Sequence, residues 1–371
     1  MSPAAEGEKP EISVVVPCYR GGELLGEGID SILAQTFQNF EIVLVDNNAD
    51  STTKAVMERY QSLAPHKIRI VSEPEQGVCS ARNRGILESR GEFVALLDDD
   101  DLMKPERLER QLSTARKNPQ ASMVICGADY IDGETRQIVE SNVLGMQGHW
   151  ATMESLFREL LKTYLPERET GTFLIAMPST MFFARDRAIS AGMFDRRFNP
   201  NFGEDLEFAL RMFLAGEFCL LKESLSLYRR DAPASLSTRR SAGRVRYLYT
   251  QGNKLHYILW ERFVSGRPDL LPLFRKMAAF HLRLAGLHFL RYKNGTGSGR
   301  SLLFRAWRYV PPDRDSRRNF LKSLFPKILH PRLFWFSAHH IDLLPREVDR
   351  TFSDRLFLIP PVWIEEGETH R

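Results

Sequence analysis

The 371-residue sequence reads as α/β, a mostly parallel sheet flanked by helices with a helical appendage behind it. Three observations predict this. Short apolar runs recur along the front of the chain, segments of helical periodicity separate them, and three of the runs end in polar tips. Continuous apolar strands alternating with helices are what a parallel sheet covered on both faces requires, because neither side of such a strand meets water. Taken in order, strands are expected at residues 12–16, 40–45, 68–71 and 93–97. Helices are expected at 28–36, 52–63 and 79–89, each with apolar residues at helical spacing. The polar tips are Pro17-Cys18-Tyr19-Arg20, Asp46-Asn47-Asn48 and the run Asp98-Asp99-Asp100-Asp101. Right-handed crossovers bring such tips to one sheet edge, where open α/β sheets bind nucleotides.

Composition narrows the class. The apolar and aromatic content, 43% and 11%, suits a globular chain with proper cores. Cys18, Cys79, Cys126 and Cys219 are scattered without paired spacing, so neither a disulfide framework nor a zinc site is implied and a reducing compartment fits. Residues 1–10 are polar and Pro/Glu-rich and are expected to form a disordered tail. No apolar run reaches transmembrane length, so a soluble or peripheral protein is expected. Charge is unevenly spread. Residues 238–346 hold 22 Lys/Arg against 5 Asp/Glu, a surplus of +17, and a whole-chain net charge of +4 leaves the rest at −13. An acidic front joined to a basic rear predicts two tasks.

The aspartate run is the most informative feature. Four adjacent carboxylates repel one another, so they persist either where cations neutralise them or where water solvates them fully. Oxygen-only donors at a strand's carboxyl end suit a hard cation, Mg²⁺ or Mn²⁺, that also holds substrate phosphates. The plainer alternative is an acidic loop capping the helix that starts near Pro105. The residues after the first strand exclude two nucleotide-binding classes. Gly-x-Gly-x-x-Gly is missing, with Gly26 and Gly28 expected as turn residues ahead of a helix, and no Gly-Lys-Ser/Thr occurs.

Ordered segments carry a resemblance. Ser13-Val14-Val15-Val16-Pro17-Cys18-Tyr19 is followed by residues 31–42 (SILAQTFQNFEI), Val45-Asp46-Asn47-Asn48 and residues 77–86 (GVCSARNRGI). Gly91-Glu92-Phe93, the aspartate run, Gly192-Met193-Phe194-Asp195 and Glu204-Asp205-Leu206-Glu207 with Arg211 complete the series. Over residues 11–237 the chain resembles the inverting family 2 glycosyltransferases, which implies a Rossmann-like sheet of GT-A type. Residues 11–120 would then form the nucleotide-sugar half and 121–237 the acceptor half. The resemblance implies roles residue by residue. Pro17 and Tyr19 would line the base pocket, Asp46 would accept a hydrogen bond from the base, and Arg82 would lie near the diphosphate. Asp98 and Asp100 would be the ends of the D-x-D motif, Asp98 on the nucleotide and Asp100 on the metal, with Asp99 and Asp101 supporting them. Asp205 would be the general base. By residue type alone, Asp205 is also an ordinary acidic first turn of a helix, and Asp46 an ordinary turn residue.

The departures are informative too. Arg20 replaces the usual Asn after the Tyr, and Asn47 stands where a second Asp is common. Residues 228–235 (YRRDAPAS) resemble a Y-R-x-H-x-x-S stretch with Asp231 in the histidine position, where an oxygen ligand to the metal is implied. The Q-x-x-R-W signature of polymerising members is missing, which favours a single transfer. Residues 148–172 read as a partly helical insertion and 178–183 as a strand. His149 and Trp150 read as a packed pair and His339-His340 as no metal site. Residues 238–371 form a basic helical region with helices at 247–263, 271–292 and 301–309. Large apolar and basic residues interleave at 320–336, as in segments that lie on anionic membranes.

The function expected from this reading is transfer of a sugar from a nucleotide-diphosphate sugar to a glycan or lipid-linked acceptor. Cell-envelope polysaccharide synthesis is one compatible setting. The place would be cytoplasmic, peripheral at the inner face of the plasma membrane, with no nucleic-acid partner. The competing readings are an inactive nucleotide-sugar binding scaffold and a sugar nucleotidyltransferase.

Overall fold

The computed structural model describes residues 9–141, 177–199, 203–230, 258–264 and 266–272, with isolated positions up to 304. The chain divides into two compact units. One comprises Met1–Met153 with Glu169–Arg239, and the other Glu154–Arg168 with Arg240–Arg371. In the second unit, Trp260–Val264 is a π-helical turn with buried Phe263. The predicted insertion at 148–172, the rear helices beyond these positions, the pairs His149/Trp150 and His339/His340, and Asp231 lie outside the described residues.

The first unit is built on a nine-stranded sheet. In chain order the elements are β1 (Ile12–Cys18), α1 (Glu23–Leu33), β2 (Phe40–Asp46), α2 (Ser51–Leu63), β3 (Ile68–Ser72) and α3 (Val78–Glu88). Next come β4 (Phe93–Leu96), β5 (Leu102–Met103), α4 (Arg107–Lys117), β6 (Ala121–Asp132) and β7 (Ile138–Glu140). A 3₁₀ turn at Pro178–Thr180 leads into β8 (Met181–Ala184), α5 (Arg185–Ser190), a second 3₁₀ turn (Arg196–Phe198), α6 (Glu204–Ala215) and β9 (Glu217–Arg230).

Strand order is β3-β2-β1-β4-β8-β6-β9-β5, with β7 on β6. The first four strands are mutually parallel, β8 runs antiparallel to both its neighbours, and β6 and β9 are again parallel. In the parallel register Ile12 pairs with Phe40 and Phe93, so the ends of β1, β2 and β4 emerge side by side. That register places Pro17, Tyr19, Asp46 and the aspartate run along one edge, as the polar tips predicted.

Both faces of the sheet are covered. Val14, Val16, Ile42 and Leu44 point into a core shared with Leu25 and Ile29 of α1, Val56 and Met57 of α2, and Leu108 and Leu112 of α4. Alternation along a strand sends the intervening residues to the other face. There Val15 meets α3, and Phe183 meets Phe208 edge-on with ring centroids 5.3 Å apart. Phe208 in turn stacks on Phe194 at 4.1 Å. Neighbouring Phe182 faces the opposite side, stacked on Phe93 at 5.2 Å.

Two local expectations are corrected. The first helix begins at Glu23, so Gly26 and Gly28 are helical and buried rather than turn residues. Their small size serves close packing: a Cβ on Gly28 would stand 3.1 Å from the Asp101 carbonyl oxygen, and one on Gly26 3.3 Å from the Tyr60 ring. Glycine read as a helix breaker here marks approach of another element, which no local pattern reveals. Likewise, Pro178–Thr180 is a 3₁₀ turn and the strand starts only at Met181. Thr180 turns its N–H and hydroxyl back to the Met177 carbonyl, at 2.9 and 2.7 Å, which holds the turn.

Gly85 of α3 supplies a check on this packing. A Cβ there would fall 2.2 Å from Cγ1 of Val15, a stiff side chain in the central strand. Gly85→Ala should cost about 1–3 kcal/mol by overpacking, read from urea unfolding midpoints. Val15→Ala in the same chain should recover part of that loss.

Candidate functional site

The site is built around the turn that carries the four aspartates. The Asp101 N–H donates to the Asp98 carbonyl at 3.2 Å, closing the turn. Each aspartate then has a different environment. Asp98 donates its N–H to the Ser179 hydroxyl (3.0 Å) and accepts from Arg82 at Oδ1 (2.8 Å). Asp99 reaches back under β1, where Oδ2 accepts from the Tyr19 and Gly21 N–H groups, both at 2.9 Å. Asp101 is fully buried and accepts from the Ser179 hydroxyl (2.6 Å) and the Arg229 N–H (2.9 Å). Asp100 is held by its backbone, its carbonyl accepting from Arg229 Nε at 2.8 Å. Among the described residues no cation meets the Asp100 carboxylate.

The acidic run is therefore neither a solvated loop nor a helix cap. The helix after it starts at Arg107, with Glu106 in the capping position and no side-chain cap. Burial and mutual repulsion raise the carboxyl pKa values. Asp99 is pushed up to about 6, chiefly by burial and opposed by the Tyr19 and Gly21 N–H groups. Asp101 is pushed up to about 7 by burial and by Asp98, with the Ser179 and Arg229 hydrogen bonds pulling the other way. Asp100 is raised well above the usual carboxylate range, first by burial and then by Asp101, Asp99 and Asp98.

A divalent cation fits this donor set. Asp100 offers hard oxygen atoms, carries charge that its neighbours repel, and lacks a cationic partner among the described residues. Among those residues no group of three or more His, Cys, Asp or Glu forms a complete metal cage. An incomplete protein set is expected where substrate phosphates and water complete the shell of Mg²⁺ or Mn²⁺.

Arg82 joins the aspartate turn to the second acidic cluster. Nη2 donates to Asp98 at 2.8 Å and Nη1 to Glu204 at 2.9 Å, with the side chain only 3% exposed. The Phe194 ring lies beneath it, 5.3 Å from the guanidinium carbon. Its buried Nε has no hydrogen-bond partner among the described residues. The two carboxylates drive the Arg82 pKa further up despite its burial, so it is a permanent cation. Asp205 follows Glu204 in the first turn of α6, half-buried, with Oδ1 accepting the Leu206 N–H at 2.7 Å. Its pKa rises to about 7 through burial and the Glu204 charge, with Arg82 pulling it down and Asp98 pushing it up.

Pro17 and Tyr19, expected to line a base pocket, are half-buried at the end of β1, with the Arg20 guanidinium 4.9 Å over the Tyr19 ring. Asp46 lies beside Cys18 in register. Its Oδ1 accepts the Ala49 N–H at 2.8 Å, and Lys54 stands 3.2 Å from Oδ2. Asn47 is turned inward. Its amide donates to the Glu73 and Glu75 carbonyls (2.8 and 2.7 Å), and its oxygen accepts the Gly77 N–H at 2.8 Å. Arg211 folds back on Glu207 and on the Ala191 and Met193 carbonyls, which anchors α6.

Three contributors escaped the sequence reading: Ser179, Arg229 and Glu27, which accepts from Arg229 Nη2 at 2.8 Å. Ser179 sits in what reads as an apolar strand, and Glu27 on an ordinary helix gives no signal. Arg229 lies within the stretch resembling Y-R-x-H-x-x-S, which could have drawn attention to it.

Comparisons with known proteins point to a family and a fold. Residues 13–190 match the family model described as glycosyl transferase family 2. An uncharacterized glycosyltransferase of Nostoc sp. is 34% identical over 135 residues, 36% of this chain and 42% of that protein. The chain spans about two fifths of the length of the first curated relatives it matches. Among solved structures, S. aureus TarS 1-349 in complex with UDP-GlcNAc shares the fold at a TM-score of 0.51 and 14% identity, covering 88% of this chain and 93% of that one. The mannosyltransferase PcManGT from Pyrobaculum calidifontis, in complex with GDP-Man and Mn²⁺, aligns at a TM-score of 0.50 and 16% identity over 99% of this chain and 89% of that one.

The buried charges predict two effects on stability. Arg82→Ala strands Asp98 and Glu204 without their shared cation and should cost about 3–5 kcal/mol near neutral pH, measured by chemical denaturation. Asp205→Asn should act in the opposite sense. A carboxyl whose folded pKa is raised binds its proton more tightly when folded, so its ionised form weighs against folding above about 7. That penalty fades as pH falls toward the ordinary carboxylate value. The variant should melt higher than the parent at pH 8, with the difference vanishing near pH 4.

Proposed function

We propose that the protein, whose residues 13–190 match the family model of glycosyl transferase family 2, transfers a sugar from a nucleotide-diphosphate sugar to an acceptor hydroxyl, with inversion and one sugar per encounter. The observation that carries this reading is Arg82, which holds Asp98 and Glu204 on one guanidinium. It ties the aspartate turn to the second carboxylate cluster, and the proposed reaction uses both. The complexes of TarS with UDP-GlcNAc and of PcManGT with GDP-Man support a nucleotide sugar as donor.

Asp100 would hold Mg²⁺ or Mn²⁺, with Asp231 as a further oxygen ligand. The ion supplies charge neutralisation for the departing diphosphate. The Mn²⁺ in the PcManGT complex supports a divalent ion in this role. Pro17 and Tyr19 flank the base, and Asp46 accepts its N–H. Asp98 orients the nucleotide, while Asp99 keeps the β1 tip against the acidic turn through the Tyr19 and Gly21 N–H groups. Arg82 acts from below the site, fixing Asp98 and α6 relative to one another.

Asp205 is the general base. Its carboxylate takes the acceptor O–H proton as that oxygen bonds to the anomeric carbon from the face opposite the phosphate. The carbon–oxygen bond to the diphosphate breaks, and the electron pair leaves with the nucleoside diphosphate. No covalent sugar–protein intermediate is formed, unlike a retaining double displacement. A base with a pKa near 7 combines ionisation at neutral pH with proton affinity. The acceptor is a glycan or lipid-linked hydroxyl. The surplus of 22 Lys/Arg over 5 Asp/Glu in residues 238–346 supports attachment at an anionic cytoplasmic membrane face.

The test begins with a thermal-shift screen of nucleotide sugars with Mn²⁺, followed by assay for nucleotide-diphosphate release. A uridine or related diphosphate sugar should stabilise the protein, and Asp100→Ala should abolish the effect of metal. Asp205→Asn should keep donor binding and lose transfer by about 10²-fold or more. For the parent, kcat/KM should rise with pH and level off above an apparent pKa near 7. Donor binding without product would identify a binding protein instead. Pyrophosphate formed from a triphosphate and a sugar phosphate would identify a nucleotidyltransferase.

A further inference from the structure

Arg229, near the end of β9, is 1% exposed although it carries a permanent charge. Burying a guanidinium is costly unless its donors are used, and the partners of this one are unusual. Nε donates to the backbone carbonyl of Asp100 at 2.8 Å, and Nη2 donates to Glu27 of α1 at 2.8 Å. The residue's own N–H donates to Asp101 at 2.9 Å. One residue therefore holds two successive members of the aspartate turn and ties them to the first helix. Glu27 is 28% exposed and also accepts from Arg136 at 2.6 Å, so it is itself held in place. The turn's other fastenings, Ser179 to Asp98 and Asp101, and Tyr19 and Gly21 to Asp99, leave the Asp100 backbone to Arg229.

We propose that Arg229, oriented by Glu27, is a positioning residue for the cation: by clamping the Asp100 carbonyl it sets where the neighbouring Asp100 carboxylate stands. The inference rests on the assignment of Asp100 as the metal-binding carboxylate and goes beyond it by naming the residues that act through it. Arginine suits the task because its planar fork reaches the carbonyl and the carboxylate together in a fixed geometry. A lysine can reach only one with the same direction. Partners that orient a metal ligand from behind influence metal affinity by about 10–100-fold.

The experiment measures Mn²⁺ binding to the full chain by electron paramagnetic resonance, with UDP and separately with GDP present. The parent is compared with Glu27→Gln, Arg229→Lys, the double variant and Asp100→Ala, and melting temperatures are recorded for each. Glu27→Gln and Arg229→Lys should each weaken Mn²⁺ binding about tenfold. The double variant should be no weaker than the poorer single one, because both act along one route. A purely structural role would lower the melting temperature and leave the Mn²⁺ affinity of the folded protein unchanged. If Arg229→Lys fails to fold, the half-exposed Glu27→Gln decides the matter alone. Parental Mn²⁺ affinity in both single variants, beside a loss in Asp100→Ala, overturns the positioning role and leaves the transferase reading intact. Multiplicative losses in the double variant overturn the route through Arg229. If Asp100→Ala binds Mn²⁺ like the parent, or the parent binds none with either nucleotide, the metal assignment itself falls and this inference with it.

Discussion

The Arg82 guanidinium is the interaction on which the site depends. It arrives from α3, a helix packed on the parallel half of the sheet, and meets Asp98 from the end of β4 and Glu204 from the start of α6. Three elements distant in sequence are thereby held by one planar, permanently charged group. Asp205, next in line, has its pKa raised by burial first and then by the Glu204 charge, with Arg82 pulling it down. The ion triad thus modulates a proton affinity that burial chiefly sets. Ion pairs of this kind contribute little net stability over apolar packing, so their role here is geometric and electrostatic.

Strain of the same sort runs through the aspartate turn. Asp99, Asp100 and Asp101 all have raised pKa values, so the native fold is working against its own charges near neutrality. The protein tolerates this because two of the three carboxylates receive N–H or O–H donors, from Tyr19, Gly21, Ser179 and Arg229. Asp100 receives only its own backbone N–H at its carboxylate among the described residues. A group left in that condition is poised for a ligand of opposite charge, and perturbed carboxyls in a cleft are a recognised mark of functional sites.

Specific residues show how the departures from the family pattern are absorbed. Asn47, where a second aspartate is common, spends its amide on the Glu73 and Glu75 carbonyls and on the Gly77 N–H. It ties the loop after β3 to the end of β2, and an aspartate could not donate to those carbonyls. Asn199 supports the same region by accepting the Cys79 N–H at 3.1 Å and donating to Ser80 at 2.9 Å. Asp46 keeps an Asx-type bond to the Ala49 N–H, the ordinary turn role, while its second oxygen faces Lys54.

Much of the architecture was legible from the chain alone, because hydrophobic periodicity is a local property. Residues 12–16, 40–45, 68–71 and 93–97 are apolar for the reason that makes them strands, burial on both faces. The helix at 52–63 and the one at 79–89 lie within a residue of α2 and α3. The two acidic clusters were visible too, as carboxylates grouped at Asp98–Asp101 and at Glu204-Asp205. What tertiary structure alone decided is who meets whom. Gly26 and Gly28 look like turn residues until Tyr60 and Asp101 are seen pressing on them. Glu27, Ser179 and Arg229 look like surface, strand and edge residues until they converge on the aspartate turn. Arg82 is one of two similar arginines in its helix, yet it is buried while Arg84 is half-exposed and pairs with Glu88 in the next turn. The difference arises because residues two apart on a helix face different sides, and only the packing of α3 against the sheet chooses which side becomes the site.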